Sequence, residues 1–253
     1  MINIYMLLYI AILGLFIGSF LNVCIYRLPL GQNISYPPSH CMKCEKKIKF
    51  YDLIPVISYI FLKGKCRYCG EKISIRYPII ELITGVLFGA LYIEYGIGFN
   101  LCKYALFSCF LIVIGMIDFD TTDVYLKTTL PGIVCGVVLA IVGWRLKFGL
   151  TTYIYGAILG GGLISLIILL TGGMGWGDAE ICLICGIFLG LKLTVVMLFL
   201  AFVLGGIGGI TLIITKKKSR KDYIPFGPYI AIAAIMVMYF GEKIANWYLA
   251  TLI

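Results

Sequence analysis

Acidic side chains are scarce in this sequence, and two short groups of them stand where long apolar segments end. One group is Asp118, Asp120 and Asp123 in GMIDFDTTDVY, and the other contains Asp178 and Glu180 in GGMGWGDAE. Acids at the edge of an apolar segment are costly and are therefore candidates for function. Two carboxylates brought together can share a proton, so that one activates water and the other acts as an acid, as in an aspartic peptidase. Composition alone leaves open a structural role as helix caps or ion pairs.

Glycines precede Asp178 and offer a way to bring it to the first group of acids. Gly173, Gly175 and Gly177 all lie within the five residues before it. Glycine adopts backbone conformations that other residues avoid, and its small size lets helices approach closely. The pattern therefore predicts a tight elbow that places Asp178 against Asp118, which lies sixty residues earlier in the chain.

Four cysteines in a polar segment have the spacing of a metal site. They form two Cys-x-x-Cys pairs with 21 residues between the pairs, namely Cys41 with Cys44 and Cys66 with Cys69. Each pair can present two thiolates from one tight turn, and four thiolates around one ion match a structural zinc site with no open coordination position. Disulfides are the alternative, which a reducing cytoplasm disfavours. The other six cysteines are interpreted as small apolar side chains.

The chain has a single histidine, His40, which lies beside Cys41 in the same polar segment. The chain therefore lacks the histidines required for a two-histidine zinc-protease site, and its one histidine makes most serine or cysteine triads unsuited to it. We interpret His40 as a loop residue. The carboxylates remain as the groups best suited to acid–base chemistry.

The rest of the sequence has the composition of a membrane protein. Of 253 residues, 61% are hydrophobic and 13% are charged, and the mean hydropathy is +1.02. A soluble core of this size cannot bury so much apolar surface, and segments of about 18 or more apolar residues can cross a bilayer as helices. The sequence predicts an all-α polytopic protein with about eight transmembrane helices, near residues 4–26, 79–98, 101–117, 129–144, 151–171, 180–191, 194–215 and 225–241.

Basic residues predict the orientation in the membrane. With the N-terminus outside, sixteen Lys and Arg residues fall in cytoplasmic segments, including the KKKSRK run, and five fall on the other side. This is the bias expected of cytoplasmic loops, so both termini are predicted outside. The net charge of +9 then reflects topology and the lipid bilayer, with no need for a nucleic-acid partner. We divide the chain into a first helix (1–29), a cytoplasmic zinc insert (30–78) and a transmembrane domain (79–253).

Several motifs together resemble one family. They are GLFIGSFLNVCIYRLP at 14–29, SHCMKC, GKCRYC, ISIRYPIIELITG at 73–85, GMIDFD at 115–120, GMGWGD at 173–178 and IPFGPYIAIA at 224–233. In order and spacing they resemble bacterial type IV prepilin peptidases over nearly the whole chain. The resemblance implies an intramembrane aspartic peptidase of the Gly-x-Gly-Asp type. It also implies Asp118 and Asp178 as the catalytic pair, with Gly175 and Gly177 in the Gly-x-Gly-Asp element.

The same resemblance implies a substrate and a location. The enzyme would remove the short basic leader of type IV prepilins or pseudopilins at the cytoplasmic face of the bacterial inner membrane. Many family members then methylate the new N-terminus with S-adenosylmethionine. We place that methyl-donor site near Glu81 and the insert, although Glu81 could equally be a helix-entry acid favoured by the helix dipole.

The sequence departs from the family pattern at two places. The family commonly has an Ile-Pro-Asp or Ile-Pro-Asn step after its first aspartate, where this chain has Val124-Tyr125-Leu126. A lysine two residues after the second aspartate is usual, and here that residue is Glu180. Asp120 and Asp123 are therefore kept as supporting candidates near the site.

Two other functions remain open at this point. One is a zinc-ribbon membrane scaffold or transporter in which the acids form an ion path, although such a path would favour acids near the bilayer midplane. The other is a relative that cleaves without methylating, as the archaeal preflagellin enzymes do. Those enzymes lack a large cysteine insert like this one.

Overall fold

The computed structural model describes residues 2–147, 149–215 and 224–252. Within these ranges the chain is helical, with one short 3-10 helix at Phe50–Leu53 and two isolated bridges in place of any sheet. The α-helices are α1 (Ile4–Arg27), α2 (Ile57–Phe61), α3 (Arg76–Tyr95), α4 (Phe99–Thr121), α5 (Leu126–Arg145), α6 (Leu150–Thr171), α7 (Trp176–Leu189), α8 (Leu191–Ile214) and α9 (Gly227–Leu252). This confirms the predicted fold class. The KKKSRK run lies outside the described residues.

The chain forms two compact units, Met1–Cys109 and Phe110–Ile253, and the division falls within α4. In the first unit, α1 and α3 pack backbone to backbone. A Cβ atom on Gly14 would lie 2.9 Å from the Gly85 Cα, and one on Gly18 would lie 2.8 Å from the Glu81 Cα. Small residues allow this approach, which is how helices associate in lipid without a hydrophobic driving force between them. The predicted division at residues 29 and 78 remains a prediction.

A buried arginine at the end of α1 holds the first residues of the polar insert in place. Arg27 ends α1, and its guanidinium donates hydrogen bonds to the carbonyl oxygens of Asn33 (3.0 Å) and Pro37 (2.7 Å). Burial of a guanidinium is tolerated only when its donors are used. The loop that leads to the first cysteine pair is thereby tied to the end of a membrane helix.

Glycines also set the packing of the second unit. A Cβ atom on Gly156 of α6 would lie 2.6 Å from the carbonyl oxygen of Gly186 in α7, and one on Gly160 would overlap the carbonyl oxygen of Cys182. Helices α6 and α7 therefore run antiparallel with their backbones in direct contact. The sequence prediction credited close helix approach to Gly173, Gly175 and Gly177, whereas this contact uses the glycines inside α6 and α7.

Seven described helices are long and apolar enough to cross a membrane, and α7 is not one of them. The predicted span near 180–191 corresponds to this 14-residue helix, whose length of about 21 Å is less than the hydrocarbon core of roughly 30 Å. Ten of its residues are buried within the protein. Because α7 is covered by other helices, its length need not match the bilayer, which explains the difference from the predicted count of about eight.

Helix α9 continues well past its predicted end at residue 241. Its extension carries Glu242 and Asn246, one turn apart, and both accept hydrogen bonds from the Lys192 ammonium at 2.6 and 2.8 Å. These polar side chains lower the hydropathy on which the prediction depended. They nevertheless stabilise the helix because their spacing brings them onto one face.

Candidate active site

Asp118 lies in the last turn of α4, and its side chain is held by the start of α9. The residue is 2% exposed. Its Oδ2 atom accepts a hydrogen bond of 2.8 Å from the backbone N–H of Gly227, the first residue of α9. A Cβ atom on Gly227 would lie 2.6 Å from that oxygen. Glycine therefore lets α9 begin against the carboxylate, whereas a larger residue would require the Asp118 side chain to move.

Asp178 lies in the first turn of α7 and is 3% exposed. Its Oδ2 atom accepts a hydrogen bond of 3.2 Å from the backbone N–H of Gly175, the residue that caps the helix. The helix-cap role that the sequence left open is therefore present. It does not compete with chemistry, because the cap fixes the orientation of the carboxylate.

The structure brings Asp118 and Asp178 together from separate helices. The charge of Asp118 acts on the buried Asp178 carboxyl, and the charge of Asp123 acts on Asp118. Gly227 lies between the two elements, since the position of its Cβ would be 3.0 Å from Ile181 of α7 as well as close to Asp118. Asp118 and Asp178 therefore lie near each other at one end of the second unit, as the glycine pattern predicted.

Asp178 lies deeper than the end of its neighbouring helix. The pairing of Gly156 with Gly186 and of Gly160 with Cys182 runs antiparallel, and extending this register along both helices places Ile164 of α6 level with Asp178. Helix α6 continues about seven residues further, which corresponds to about 10 Å of axial rise. Asp178 therefore occupies the beginning of its own helix and also a recess beside α6.

The other acids of the first group lie toward solvent. Asp120 and Asp123 are both exposed, and the backbone N–H of Asp123 donates to the Thr121 hydroxyl at 3.3 Å. They lie close in sequence to Asp118 but differ from it in being exposed. Their positions are compatible with the supporting role that the sequence suggested.

Gly177 is required by a contact with the loop after α4. A Cβ atom there would overlap the Cβ of Val124. Val124 is one of the residues that replace the family's Ile-Pro-Asp step, and its side chain therefore holds the 122–125 loop against the start of α7. Gly173 has no such close neighbour beyond the Thr171 side chain.

Glu180 also has a defined partner. Its Oε2 atom accepts a hydrogen bond of 2.6 Å from the Thr129 hydroxyl, which is fully buried in α5. Residues two apart on a helix point in nearly opposite directions, so Glu180 faces α5 while Asp178 faces Asp118. The replacement of the usual lysine therefore affects the contact between α5 and α7.

Gly227 is the site residue that sequence reasoning missed. It belongs to the motif IPFGPYIAIA, which supported the resemblance but received no role. The available signal was a glycine placed directly between Phe226 and Pro228. It could not be converted into a contact with Asp118, because the two residues are 109 positions apart.

The four predicted cysteine ligands form one cluster in the insert. The sulfur atoms of Cys41, Cys44, Cys66 and Cys69 all lie within 4.8 Å of one another. The Cys41 and Cys69 sulfurs are 3.7 Å apart, close to the roughly 3.8 Å expected between thiolates that surround one zinc ion tetrahedrally. All ten cysteines lie within the described residues, and none of them is in a disulfide. The cluster could hold a metal ion.

The two cysteine pairs are built alike and are joined by ion pairs. An antiparallel bridge closes each turn, His40 with Lys47 and Lys65 with Lys72. Lys43 of the first turn pairs with Glu71 of the second. Arg67 binds Asp52 at 2.8 and 2.5 Å, and this hydrogen bonding lowers the pKa of the Asp52 carboxyl. The insert is therefore an ordered module.

Glu81, which the sequence analysis placed at the binding site of the methyl donor, lies in α3 and is 7% exposed. Its Oε2 atom accepts a hydrogen bond of 2.7 Å from the backbone N–H of Val56. Val56 has a φ of 61°, which is strained for a β-branched residue. Glu81 thus stabilises an unfavourable turn just before α2.

A multi-pass helical membrane protein with two buried aspartates meeting at the ends of separate helices has the architecture of an intramembrane aspartic peptidase. The chain belongs to the type IV leader peptidase family. The model of the bacterial peptidase A24 N-terminal domain matches residues 12–95, and that of the type IV leader peptidase family matches residues 105–210. It is accordingly a multi-pass protein of the bacterial inner membrane.

Curated relatives cover almost the entire chain. Proteins named prepilin leader peptidase/N-methyltransferase include one from Neisseria gonorrhoeae, 33% identical over 94% of this chain and 93% of its own. Another from Bacillus subtilis is 31% identical over 96% and 98%, and one from Aeromonas salmonicida is 32% identical over 95% and 92%. No solved structure shows significant similarity.

The contact between Gly227 and Asp118 predicts a large effect of one added methyl group. We expect Gly227→Ala to lower the free energy of unfolding by about 1–3 kcal/mol, because the Cβ has no space beside Asp118 Oδ2. The measurement is the thermal unfolding midpoint of purified protein in detergent. Gly206→Ala is the matched control, since a Cβ there meets no atom within 4 Å. Equal midpoints for the two variants would contradict the packing described here.

Proposed function

We propose that this protein cleaves the leader peptide of a type IV prepilin or pseudopilin and then methylates the new N-terminus. The observation that carries the peptidase half is the buried pair of Asp118 and Asp178, each oriented by a glycine amide, in a chain of this family. The names of the curated relatives support both halves.

The aspartate pair supplies acid and base for hydrolysis. One carboxylate removes a proton from water as the oxygen attacks the scissile carbonyl carbon. The other, carrying the shared proton, donates first toward the carbonyl oxygen, and the leaving amine is protonated as the C–N bond breaks. Burial strengthens these interactions because bulk water does not screen them. Exposed Asp120 and Asp123 are suited to attract the basic leader of the substrate.

We infer that the site faces the cytoplasm. The ends of α4 and α6 and the starts of α5, α7 and α9 share the end that contains the pair. Lys127 lies at that same end, and the sequence between α8 and α9 carries five Lys and Arg residues, whereas Arg145, Lys147 and Lys192 lie at the opposite end. Clustering of basic residues favours a cytoplasmic location.

S-adenosylmethionine is the methyl donor that we propose, since it can transfer an electrophilic methyl group to a neutral amine. Glu81 fits an indirect role in this step better than direct contact with the donor. Its carboxylate is buried and already accepts the Val56 amide, so it would shape a pocket by holding the Pro55–Val56 turn. The donor site would then lie around this turn in the first unit.

Zinc is the metal that we propose for the cysteine cluster. Four thiolates within 4.8 Å of one another fit this ion, and a site with four protein ligands leaves no open position for chemistry. The metal would then stabilise the insert, which is too small to form a hydrophobic core of its own. The scaffold or transporter alternative receives no support from the relatives.

Asparagine at either catalytic position keeps a side-chain oxygen for the glycine amide but removes the titrating acid. We expect Asp118→Asn and Asp178→Asn each to lower the rate of leader cleavage by about 10³-fold or more, with the double variant no worse, because the pair acts as one unit. The assay combines purified protein, a prepilin and a labelled methyl donor. It also separates cleavage from methylation.

Asp120→Asn and Asp123→Asn serve as controls in that assay and should retain measurable cleavage. All variants should keep the wild-type thermal midpoint. Full activity of Asp178→Asn would exclude the aspartic mechanism. If Asp118→Asn stayed active and Asp120→Asn or Asp123→Asn lost activity, Asp118 would be excluded as the catalytic partner of Asp178.

Metal content tests the cysteine cluster. We expect about one zinc per chain, lost in Cys41→Ser and Cys69→Ser, with the insert then cleaved faster by trypsin because its turns are no longer joined. Cys102→Ser is the control, since Cys102 is exposed and lies outside the cluster. An insert that resists trypsin equally well after metal removal would refute the structural role.

Labelling with a membrane-impermeant maleimide tests the orientation. In intact cells, Lys147→Cys should gain label relative to the parent protein, and Tyr36→Cys in the insert should not, because charge bias keeps the insert in the cytoplasm. Permeabilised cells should label both positions. Labelling of residue 36 in intact cells would reverse the topology and remove the cytoplasmic cleavage model.

A further inference from the structure

The insert exposes a group of large apolar side chains outside the membrane helices. Phe50 is 83% exposed and Phe61 is 82% exposed, and they are joined by Leu53, Ile57 and Ile60. We call these five residues the 50–61 patch. Large exposed apolar side chains grouped in one short segment of a chain are typical of a surface that contacts a protein or a membrane.

The patch has a defined direction because α2 is amphipathic. Ile57, Ile60 and Phe61 follow the i, i+3, i+4 pattern and are exposed together. On the other side of α2, the Tyr59 hydroxyl donates to the Ile73 carbonyl oxygen at 3.4 Å, and its ring lies beside Gly64. One face of α2 therefore packs on the cysteine module and the other faces outward.

A hydrogen bond fixes the level of this patch along a membrane helix. The backbone N–H of Val56, the residue before α2, donates to Glu81 of α3 at 2.7 Å. Glu81 is five residues beyond Arg76, where α3 begins, which is about 7.5 Å along the helix axis. Because α3 is long and apolar enough to span the bilayer, the beginning of α2 lies level with the first turns of a membrane span.

Basic residues border the patch on both sides in sequence. Lys49 precedes Phe50, and Lys63 and Lys65 follow Phe61. Across residues 30–78 there are nine Lys and Arg residues and three acids, and one of those acids, Asp52, is paired with Arg67. Aromatic and aliphatic side chains flanked by lysines are typical of segments that lie in the interface of an anionic bilayer.

We propose that the 50–61 patch anchors the insert in the membrane interface. The five apolar side chains enter the boundary between headgroups and acyl chains, and the flanking lysines contact anionic headgroups. The insert is attached to the bilayer by α1 at one end and α3 at the other, so this contact requires no diffusional encounter. The proposal is independent of the assigned enzymatic activity.

Photo-cross-linking identifies what covers the patch. The full chain carries p-benzoylphenylalanine in place of Phe50, Phe61 or, as a control, Met42, which is 62% exposed in the first cysteine turn. After irradiation in anionic lipid nanodiscs and in native membranes, mass spectrometry should find lipid acyl adducts at positions 50 and 61, and little or none at 42. Adducts only to polypeptide at 50 and 61 would assign the patch to a protein partner and overturn the proposal.

Proteolysis measures the strength of the contact. Trypsin cleavage after Lys63 should be about tenfold faster in Phe50→Ser/Phe61→Ser than in the unmodified protein in phosphatidylglycerol nanodiscs, because two aromatic anchors are lost. Met42→Ser should cleave like the unmodified protein. In detergent the double variant should show no such acceleration, which separates lost anchoring from lost folding. Equal acceleration in both media would contradict the anchor.

A charge variant provides an independent measurement. Lys49→Gln/Lys65→Gln keeps every apolar side chain of the patch and the trypsin site at Lys63. Its protection should fall in phosphatidylglycerol nanodiscs and match that of the unmodified protein in phosphatidylcholine nanodiscs. Identical protection of both proteins in both lipids would remove the electrostatic part of the proposal.

Discussion

Direct backbone contact between α6 and α7 is the constraint on which the geometry of the second unit depends. In lipid, apolar side chains gain little from contacting each other instead of acyl chains, so close packing must supply the attraction. Gly156, Gly160 and Gly186 allow two helix backbones to touch. Helix α7 can then be surrounded by protein and remain too short to span a bilayer, and its first turn, with Asp178, is held inside the unit.

Main-chain amides from glycines orient both buried acids. An amide from the chain has no rotamers to lose and cannot titrate, so it holds a carboxylate through successive protonation states without adding a charge of its own. Gly227 and Gly175 provide these amides from the beginnings of α9 and α7. This arrangement restricts which residues can occupy two positions. A Cβ atom at Gly227 would clash with the Asp118 carboxylate, and one at Gly177 would clash with Val124.

Much of this arrangement was predictable from local sequence. Long apolar segments specified the seven spans, Cys-x-x-Cys spacing specified the metal-ligand cluster, and scarcity of other acid–base groups drew attention to Asp118 and Asp178. The length of α7 was not predictable, because hydropathy does not distinguish a helix buried in protein from one exposed to lipid. The continuation of α9 depended on Lys192, fifty residues from Glu242. The role of Gly227 similarly required a contact between distant segments.

The recess of Asp178 beside α6 affects how substrates can be distinguished. A peptide bond in an intact helix has its carbonyl oxygen occupied by an amide four residues further on, and its carbon is shielded by neighbouring turns. A segment that reaches about 10 Å below the end of α6 must open part of its helix before water can attack. The free energy of that opening differs by up to about 1 kcal/mol per residue between alanine and glycine. Depth in the protein therefore converts small differences in local helix stability into differences in cleavage rate, even among substrates with identical charges.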